Sequence, residues 1–281
     1  MNRLLIFGLG YSGTAIARAA AASGFTVTGT TRADKPGSVA FDAAEPAIAA
    51  ATHIVSTAGT DPDGDPILPR YAAAIAAAPN LRWIGYLSST VVYGDRGGAW
   101  VDEDTPAAPS QPRGQRRLEA EDGWSRFAGT HAVDIFRLAG IYGPGRSAFD
   151  ELRAGRARRM VKPGHMFGRI HRDDIAQAVV AAMRQDRPAG RRVLNLVDDE
   201  PSESAEVVTE AAALLGVPPP PQVAFEEAWA TMSPMARSFW SENRKIACAK
   251  TKAALGMSWL YPTYREGLRA ILREERGNGL P

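Results

Sequence analysis

Leu4-Leu5-Ile6-Phe7-Gly8-Leu9-Gly10-Tyr11-Ser12-Gly13 stands near the start of this 281-residue chain, and an Ala-rich stretch, Thr14 to Ala22, follows it. The four apolar residues read as a short buried strand and the Ala-rich stretch as a helix, with a G-x-G-x-x-G turn between them. That order is the context in which the glycine pattern marks a dinucleotide site. Gly8 permits the tight turn, Gly10 lets the backbone approach a pyrophosphate, and Gly13 lets helix and strand pack closely. The free N–H groups at the helix start face the phosphates, with Tyr11 and Ser12 of the turn expected among the cofactor contacts.

The bulk numbers narrow the class. A composition of 45% hydrophobic and 23% charged residues is that of a soluble globular protein large enough for one α/β domain with an added lobe. A net charge of +2 gives no reason to expect nucleic acid as a partner. The basic run Arg153 to Arg159 reads as a solvated helix face. Cys248 is the single cysteine, which rules out an intrachain disulfide and fits a reducing, cytoplasmic compartment. No leader pattern precedes the first strand, and no apolar run approaches the roughly 18 residues that span a membrane, so neither export nor membrane insertion is expected.

Further strands are expected at Phe25–Gly29, His53–Ser56, Leu81–Leu87 and Ala132–Leu138, with a helix over Tyr71–Ala78 between two of them. Strands alternating with helices imply a doubly wound parallel (Rossmann) sheet, with ligands at the carboxyl ends of its strands. Thr57-Ala58-Gly59 and Ser88-Ser89-Thr90 each follow a strand and so fall where a site is expected. Beyond about residue 141 proline and glycine punctuate more often. A helix at Asp173–Met183, a strand at Arg192–Val197, a rigid connector at Pro218–Pro221 and a mostly helical tail over Ala247–Leu272, broken at Gly256 and Pro262, remain legible. The expected division is a dinucleotide-binding domain over 1–140, with returning segments at about 167–198, and a smaller mixed lobe over 141–281 interleaved with the sheet.

The second strand ends Gly29-Thr30-Thr31-Arg32 instead of in the acidic residue that binds an NAD ribose. Hydroxyls and a guanidinium suit a 2′-phosphate, which favours NADP. Arg32 also reads as a solvated loop cation, and Asp34, two residues on, keeps NAD open.

At this point the chain resembles the extended short-chain dehydrogenase/reductase family of sugar-nucleotide epimerases and dehydratases, nearly end to end. Ser88-Ser89-Thr90-Val91-Val92-Tyr93-Gly94 resembles the segment carrying the family's catalytic Ser/Thr, which falls on Ser89. Arg137-Leu138-Ala139-Gly140-Ile141-Tyr142-Gly143-Pro144-Gly145 resembles R-P-x-N-V-Y-G-P-G, which reaches nicotinamide and substrate, and Ile170-His171-Arg172-Asp173-Asp174 resembles the H-V-x-D helix start. Asn195-Leu196 and Leu255-Gly256-Met257 match late landmarks, and Asp42 falls where the family places an aspartate near the adenine. The resemblance implies cofactor contacts at Thr57, Ala58, Gly59, Ser88, Arg117, Leu138, Ala139 and Gly140. It also implies a homodimer through roughly residues 112–127 and a partner helix.

One segment departs from the pattern. The family's P-Y-G-x-S-K-x-x-x-E is matched by Pro112-Arg113-Gly114-Gln115-Arg116-Arg117-Leu118-Glu119-Ala120-Glu121, so Arg113 stands for the tyrosine and Arg117 for the lysine. Gly140 likewise replaces the asparagine. This is similar to the atypical branch of the family, the YeeZ type. An arginine stays protonated and has no acceptor, so Arg113 cannot serve as a base near neutral pH. Tyr93, Tyr142 and His171 are the candidates for the proton step, each with a packing or helix-start role as its alternative. Four scattered histidines and one cysteine form no metal pattern.

Arg113, Arg117 and Arg146 are expected to converge above the nicotinamide, and by resemblance Thr90, His171, Arg237, Asn243 and Arg244 approach the substrate. Guanidinium groups favour carboxylate or phosphate, which implies a small anionic substrate; pairing with Glu119, Glu121 or Asp102-Glu103-Asp104 is the alternative for each arginine. Two functions stay open. One is an NADP(H)-dependent oxidoreductase or epimerase-like enzyme with a non-standard proton relay. The other is a non-catalytic NADP(H)-binding redox sensor or regulator.

Overall fold

The computed structural model describes residues 2–32 and 37–277; Asp34 lies outside them. The first half runs β1 (Arg3–Phe7), α1 (Tyr11–Ala22), β2 (Thr26–Thr31), β3 (Val39–Ala40), α2 (Glu45–Ala50), β4 (His53–Ser56), α3 (Leu68–Ala76), β5 (Trp83–Ser89), β6 (Trp100–Val101), α4 (Pro112–Ser125) and β7 (Ala132–Leu138). Next come β8 (Gly140–Tyr142), α5 (Ala148–Arg153), β9 (Arg159–Val161), β10 (Arg169–His171), α6 (Arg172–Met183) and β11 (Gly190–Leu196). The chain continues through α7 (Ser204–Leu215), β12 (Gln222–Ala224), α8 (Phe225–Thr231), α9 (Pro234–Trp240), β13 (Lys245–Ile246), α10 (Ala249–Leu255) and α11 (Tyr264–Gly277).

Seven strands form one parallel sheet in the order β11-β7-β5-β4-β1-β2-β3. This is the doubly wound arrangement expected of the sequence. Successive side chains of a strand point to opposite faces, and both faces are covered. Leu4 and Ile6 join Val55, Trp83 and Phe136 under α1 and α6, whereas Leu5 and Phe7 join Ile54, Ile84 and Ile135 under α2, α3 and α4. A strand buried on both faces reads as an unbroken apolar run, which is why Leu4-Leu5-Ile6-Phe7 is so legible. A third apolar cluster joins Tyr142 and Phe149 to Ala211, Tyr264, Leu268 and Ile271, from α7 and α11.

Element boundaries moved where local chemistry overrode apolar pattern. α1 begins at Tyr11, inside the glycine pattern, because the turn itself supplies the first helical residues. α3 begins at Leu68, where Asp65 Oδ1 accepts the N–H groups of Ile67 and Leu68. The basic run is not one helix face: α5 stops at Arg153, Gly155 follows with φ +64°, and Arg159 already belongs to β9.

A buried ion pair ties α4 to the sheet. Glu121 is fully buried, and Arg137 of β7 donates to both its oxygens, at 2.8 Å for the shortest contact. Ser88 of β5 donates to Glu121 at 2.6 Å and Arg191 of β11 reaches it at 3.4 Å. The expected outcome of Glu121→Ala is a loss of about 3–5 kcal/mol, because Arg137 would stay buried without its partner. Urea unfolding of the two proteins measures it, with Glu121→Gln falling between them.

Candidate functional site

The strand order reverses between β1 and β4, and a doubly wound sheet binds ligands at that switch point. Gly8 sits there with φ +100°. Its N–H is accepted by the Thr30 hydroxyl at 3.2 Å, from β2, and its carbonyl accepts the Thr57 hydroxyl at 2.6 Å, from the end of β4. Thr30 and Thr57 therefore hold the turn from both sides. Thr30, expected at a 2′-phosphate, is buried beneath the turn, because its oxygen satisfies a peptide group there. At Gly13 an added Cβ would lie 2.1 Å from the Gly8 carbonyl oxygen, so only glycine lets α1 land on the turn. At Gly10 an added Cβ would meet nothing within 4 Å, and α1 has no side-chain cap. Open space before an uncapped helix start fits a dinucleotide diphosphate.

The remaining expected cofactor residues are spread along the strand ends. Thr31 shares a 2.8 Å hydrogen bond with Ser38, Arg32 is exposed beside it, and Ala58 packs against the cluster under α2 and α3. Asp42, exposed after β3, pairs with Arg70 at 3.2 Å. Tyr11 turns away from the strand ends: its hydroxyl donates to the Pro144 carbonyl at 3.1 Å, and its ring lies against the guanidiniums of Arg146 and Arg172.

A cavity of about 540 Å³ opens beyond the turn. Ser12, Thr57 and Gly59 line one end, and Ser88, Ser89, Thr90, Leu138, Ala139 and Gly140 line its middle. Ser89 Oγ accepts the Val91 N–H at 3.3 Å, which leaves its proton to donate, whereas the Ser88 proton is committed to Glu121. Arg113 and Arg117, one turn apart on α4, both line the cavity. Arg117 donates to the Tyr86 hydroxyl at 2.9 Å and to the Leu87 carbonyl at 3.2 Å. The Arg113 guanidinium lies over the Phe239 ring at 4.8 Å, and its pKa is lowered, first by burial and then by the charge of Arg117. The acidic residues weighed as alternative partners are engaged elsewhere: Glu121 with Arg137 and Arg191, Asp102 and Asp104 with Lys250, Glu119 with Gln115.

Several expected site residues lie outside the cavity or turn from it. Tyr93 is fully buried and donates to Asn195 at 2.8 Å, under the Arg137 guanidinium, so its hydroxyl is a packing contact. Tyr142 lines the cavity, yet its hydroxyl points to α11: it donates weakly to the Thr263 carbonyl at 3.4 Å and would lie 2.0 Å from a Cβ at Gly267. Burial raises the pKa of both phenols, against a role in moving protons. His171 caps α6, with Nδ1 accepting the Asp173 N–H at 3.2 Å, and lies between the Tyr142 and Tyr261 rings, not among the cavity residues. Arg237 donates to the Trp229 and Ala230 carbonyls at the end of α8. Asn243 ties loops together through Gly164, Met166 and Asp95. Arg146 and Arg244 do line the cavity, Arg244 donating to Glu242 and the Gly94 carbonyl.

Arg169, Glu242, Phe239 and Trp240 line the cavity without having been singled out in the sequence. The signal for Arg169 was a lone cation in a strand next to the buried Ile170; for Phe239-Trp240, it was adjacent aromatics in a polar stretch. Among the described residues no His, Cys, Asp or Glu cluster is placed to hold a metal ion, and no helix is long and apolar enough to cross a membrane.

No family model matches the chain. The structure of a functionally unknown conserved protein from Silicibacter pomeroyi is 42% identical, with a TM-score of 0.87 over 98% of this chain and 99% of that one. A putative NAD-dependent epimerase/dehydratase from Methylobacillus flagellatus is 25% identical, with a TM-score of 0.75 over 98% and 99%. A human epimerase family protein solved with NADPH shares the fold, at 21% identity and a TM-score of 0.77 over 96% and 99%. Protein YeeZ of Escherichia coli is 35% identical over 150 residues, 52% of this chain and 50% of YeeZ. A 3-diazoavenalumate denitrifying reductase of Streptomyces is 27% identical over 180 residues, 60% of this chain and 55% of that protein. The chain spans about half the length of the curated relatives it matches.

Burial pushes the His171 imidazole down to about 4 from 6.5. A lowered pKa on a base means that its stabilising share is complete above pH 6.5 and is lost as pH falls toward 4. The cap also needs an unprotonated Nδ1. Urea midpoints measured from pH 7 to pH 4 should therefore fall, by at most about 1.4 kcal/mol per pH unit from this group. His171→Asn, which keeps a capping oxygen and removes the titration, should flatten that slope.

Proposed function

This chain belongs to the extended short-chain dehydrogenase/reductase family, among its NAD-dependent epimerase/dehydratase-like members, and from that premise we propose that it binds NADP(H) and transfers hydride to or from a small anionic substrate. The observation that carries the reading is the pair Arg113 and Arg117, which project from one face of α4 into the cavity beyond the glycine turn, with Ser89 on its wall. Five arginines and one glutamate line that cavity. The charge of Arg117 works against protonation of Arg113, and an anion between them relieves that repulsion.

When bound, the cofactor supplies the hydride; the residues of this chain bind, orient and stabilise charge. The N–H groups at the start of α1 and the bare face of Gly10 hold the diphosphate. Thr31 and Arg32 at the end of β2 present a hydroxyl and a guanidinium to a 2′-phosphate, which supports NADP over NAD. Arg117, anchored on Tyr86 and Leu87, directs its remaining donors toward the nicotinamide ribose. Ser89 donates to the reacting oxygen. Arg113 stabilises the negative charge that grows on that oxygen as hydride arrives. A guanidinium does not give up a proton near neutral pH, so the proton that completes a carbonyl reduction comes from water.

Titrating the protein with NADPH and NADH, read by nicotinamide fluorescence, tests the cofactor half. Arg32→Ala should weaken NADPH by roughly 10- to 100-fold, the worth of a hydrogen bond to a charged group, and leave NADH unchanged. Single-turnover oxidation of NADPH with a panel of keto acids tests the catalytic half: Arg113→Gln should lose turnover and retain cofactor affinity. Tight NADPH binding without hydride transfer to any acceptor would instead support a binding protein that senses the cofactor.

A further inference from the structure

Tyr11 has its backbone at the cofactor turn and its side chain at the substrate lobe. The first hydrogen bond inside α1 runs from the Thr14 N–H to the Gly10 carbonyl at 3.0 Å, so the N–H groups of Tyr11, Ser12 and Gly13 have no partner within the helix and face the diphosphate position. The phenol reaches instead to the loop that leads from β8 to α5. Its hydroxyl donates to the Pro144 carbonyl at 3.1 Å, and a Cβ at Gly143, where φ is +154°, would lie 2.6 Å from the hydroxyl oxygen. That loop is a closed turn. Gly143 and Arg146 exchange N–H to carbonyl bonds at 3.2 and 2.9 Å, and Ser147 then caps α5. The Tyr11 ring lies against the guanidinium of Arg146 at 5.7 Å and against that of Arg172 at 5.1 Å.

Resting on the reading of the cavity as a substrate site for an anion, we propose that Tyr11 is a positioning residue: it presents Arg146 to the anionic group of the substrate and ties that presentation to the cofactor diphosphate. Arg146 lines the cavity. The two cations against Tyr11 differ in what balances them. Arg172 donates to Asp173 at 3.1 Å, whereas Arg146 belongs to no ion pair among the described residues. A ring face orients a guanidinium without accepting its in-plane N–H groups, so Arg146 is aimed and keeps those donors for a ligand. The other four arginines of the cavity are set by other elements: Arg117 by Tyr86 and Leu87, Arg169 by Phe167 and Ser202, Arg244 by Gly94 and Glu242, and Arg113 by Phe239 of α9. Arg146 is set from the cofactor turn. Burial raises the pKa of the Tyr11 phenol, which keeps the proton that the Pro144 carbonyl accepts. A diphosphate that fixes the Tyr11 backbone restrains the phenol and the guanidinium beside it, so an anion arriving second loses less entropy in ordering them.

Calorimetry on the full chain tests this with oxamate, a carboxylate that accepts no hydride, and with inorganic phosphate. Arg146→Gln and Tyr11→Leu should each weaken binding of the anion to the NADPH-loaded protein by roughly tenfold, the worth of a hydrogen bond to a charged group. The double variant should lose no more than either single one, because Tyr11 acts through Arg146. Tyr11→Phe, which keeps the ring, should stay closer to the parent protein than to Tyr11→Leu. In the parent protein NADPH should bind roughly fivefold tighter in saturating anion, and Arg146→Gln should remove that gain. Additive losses in the double variant, or full anion affinity in Tyr11→Leu, would overturn the positioning role. NADPH affinity unchanged or weakened by the anion would overturn the tie to the cofactor. If Tyr11→Leu does not fold, persistence of the NADPH gain in Arg146→Gln overturns the proposal. Each of these results leaves the cavity standing as a substrate site. Failure of both oxamate and phosphate to bind the loaded protein would overturn that reading as well.

Discussion

The site depends on one close approach: α1 lies on the carbonyl of Gly8 with no room for a single carbon atom at Gly13. That contact sets where the helix starts and aims its unsatisfied N–H groups at the crevice between β1 and β4. The threonines on either side are part of the same constraint. Thr30 and Thr57 come from the two neighbouring strands and bond the N–H and the carbonyl of Gly8. The turn is thus held by the sheet, not by its own loop, and a rigid turn loses little entropy when a diphosphate arrives.

The buried pair Glu121–Arg137 does for the other side of the site what Gly13 does for the first. α4 is a polar helix with few apolar anchors, among them Ala120 and Trp124. Its register against β5 and β7 rests on Glu121, one turn beyond Arg117. Arg113, Arg117 and Glu121 recur every four residues and so share a face: the last enters the sheet while the first two reach the cavity. Two arginines at such positions put fixed positive charge on the cavity wall. A guanidinium keeps its proton near neutral pH, so these two positions suit anion binding more than proton transfer.

The strands of the main sheet were legible because burial on both faces demands continuous apolar runs, and the turn because G-x-G-x-x-G has a backbone reason for each glycine. Arg113 and Arg117 were legible only through the resemblance of residues 112–121 to the family motif, since their helix is too polar to show an apolar period. The destinations of single polar atoms were not. Tyr93, Tyr142 and His171 sit in the right segments, yet Tyr93 bonds Asn195 from another strand, Tyr142 turns to α11, and His171 caps its own helix. Each of these partners, except that of His171, is about a hundred residues or more away in the chain. The aromatic wall was missed for a related reason: Phe167 and Trp240 are far apart in sequence and meet only when α9 folds over β10 and its approach.

Local sequence by itself determined the sheet and the glycine turn, since those follow from periodicity and from what a backbone can do. Only the tertiary structure decided which hydroxyls are spoken for and which arginines face the cavity. A hydrogen bond or an ion pair is settled by which groups meet in space once water is excluded, and a rotation of one side chain, invisible to any local pattern, turns a candidate proton carrier into a packing residue.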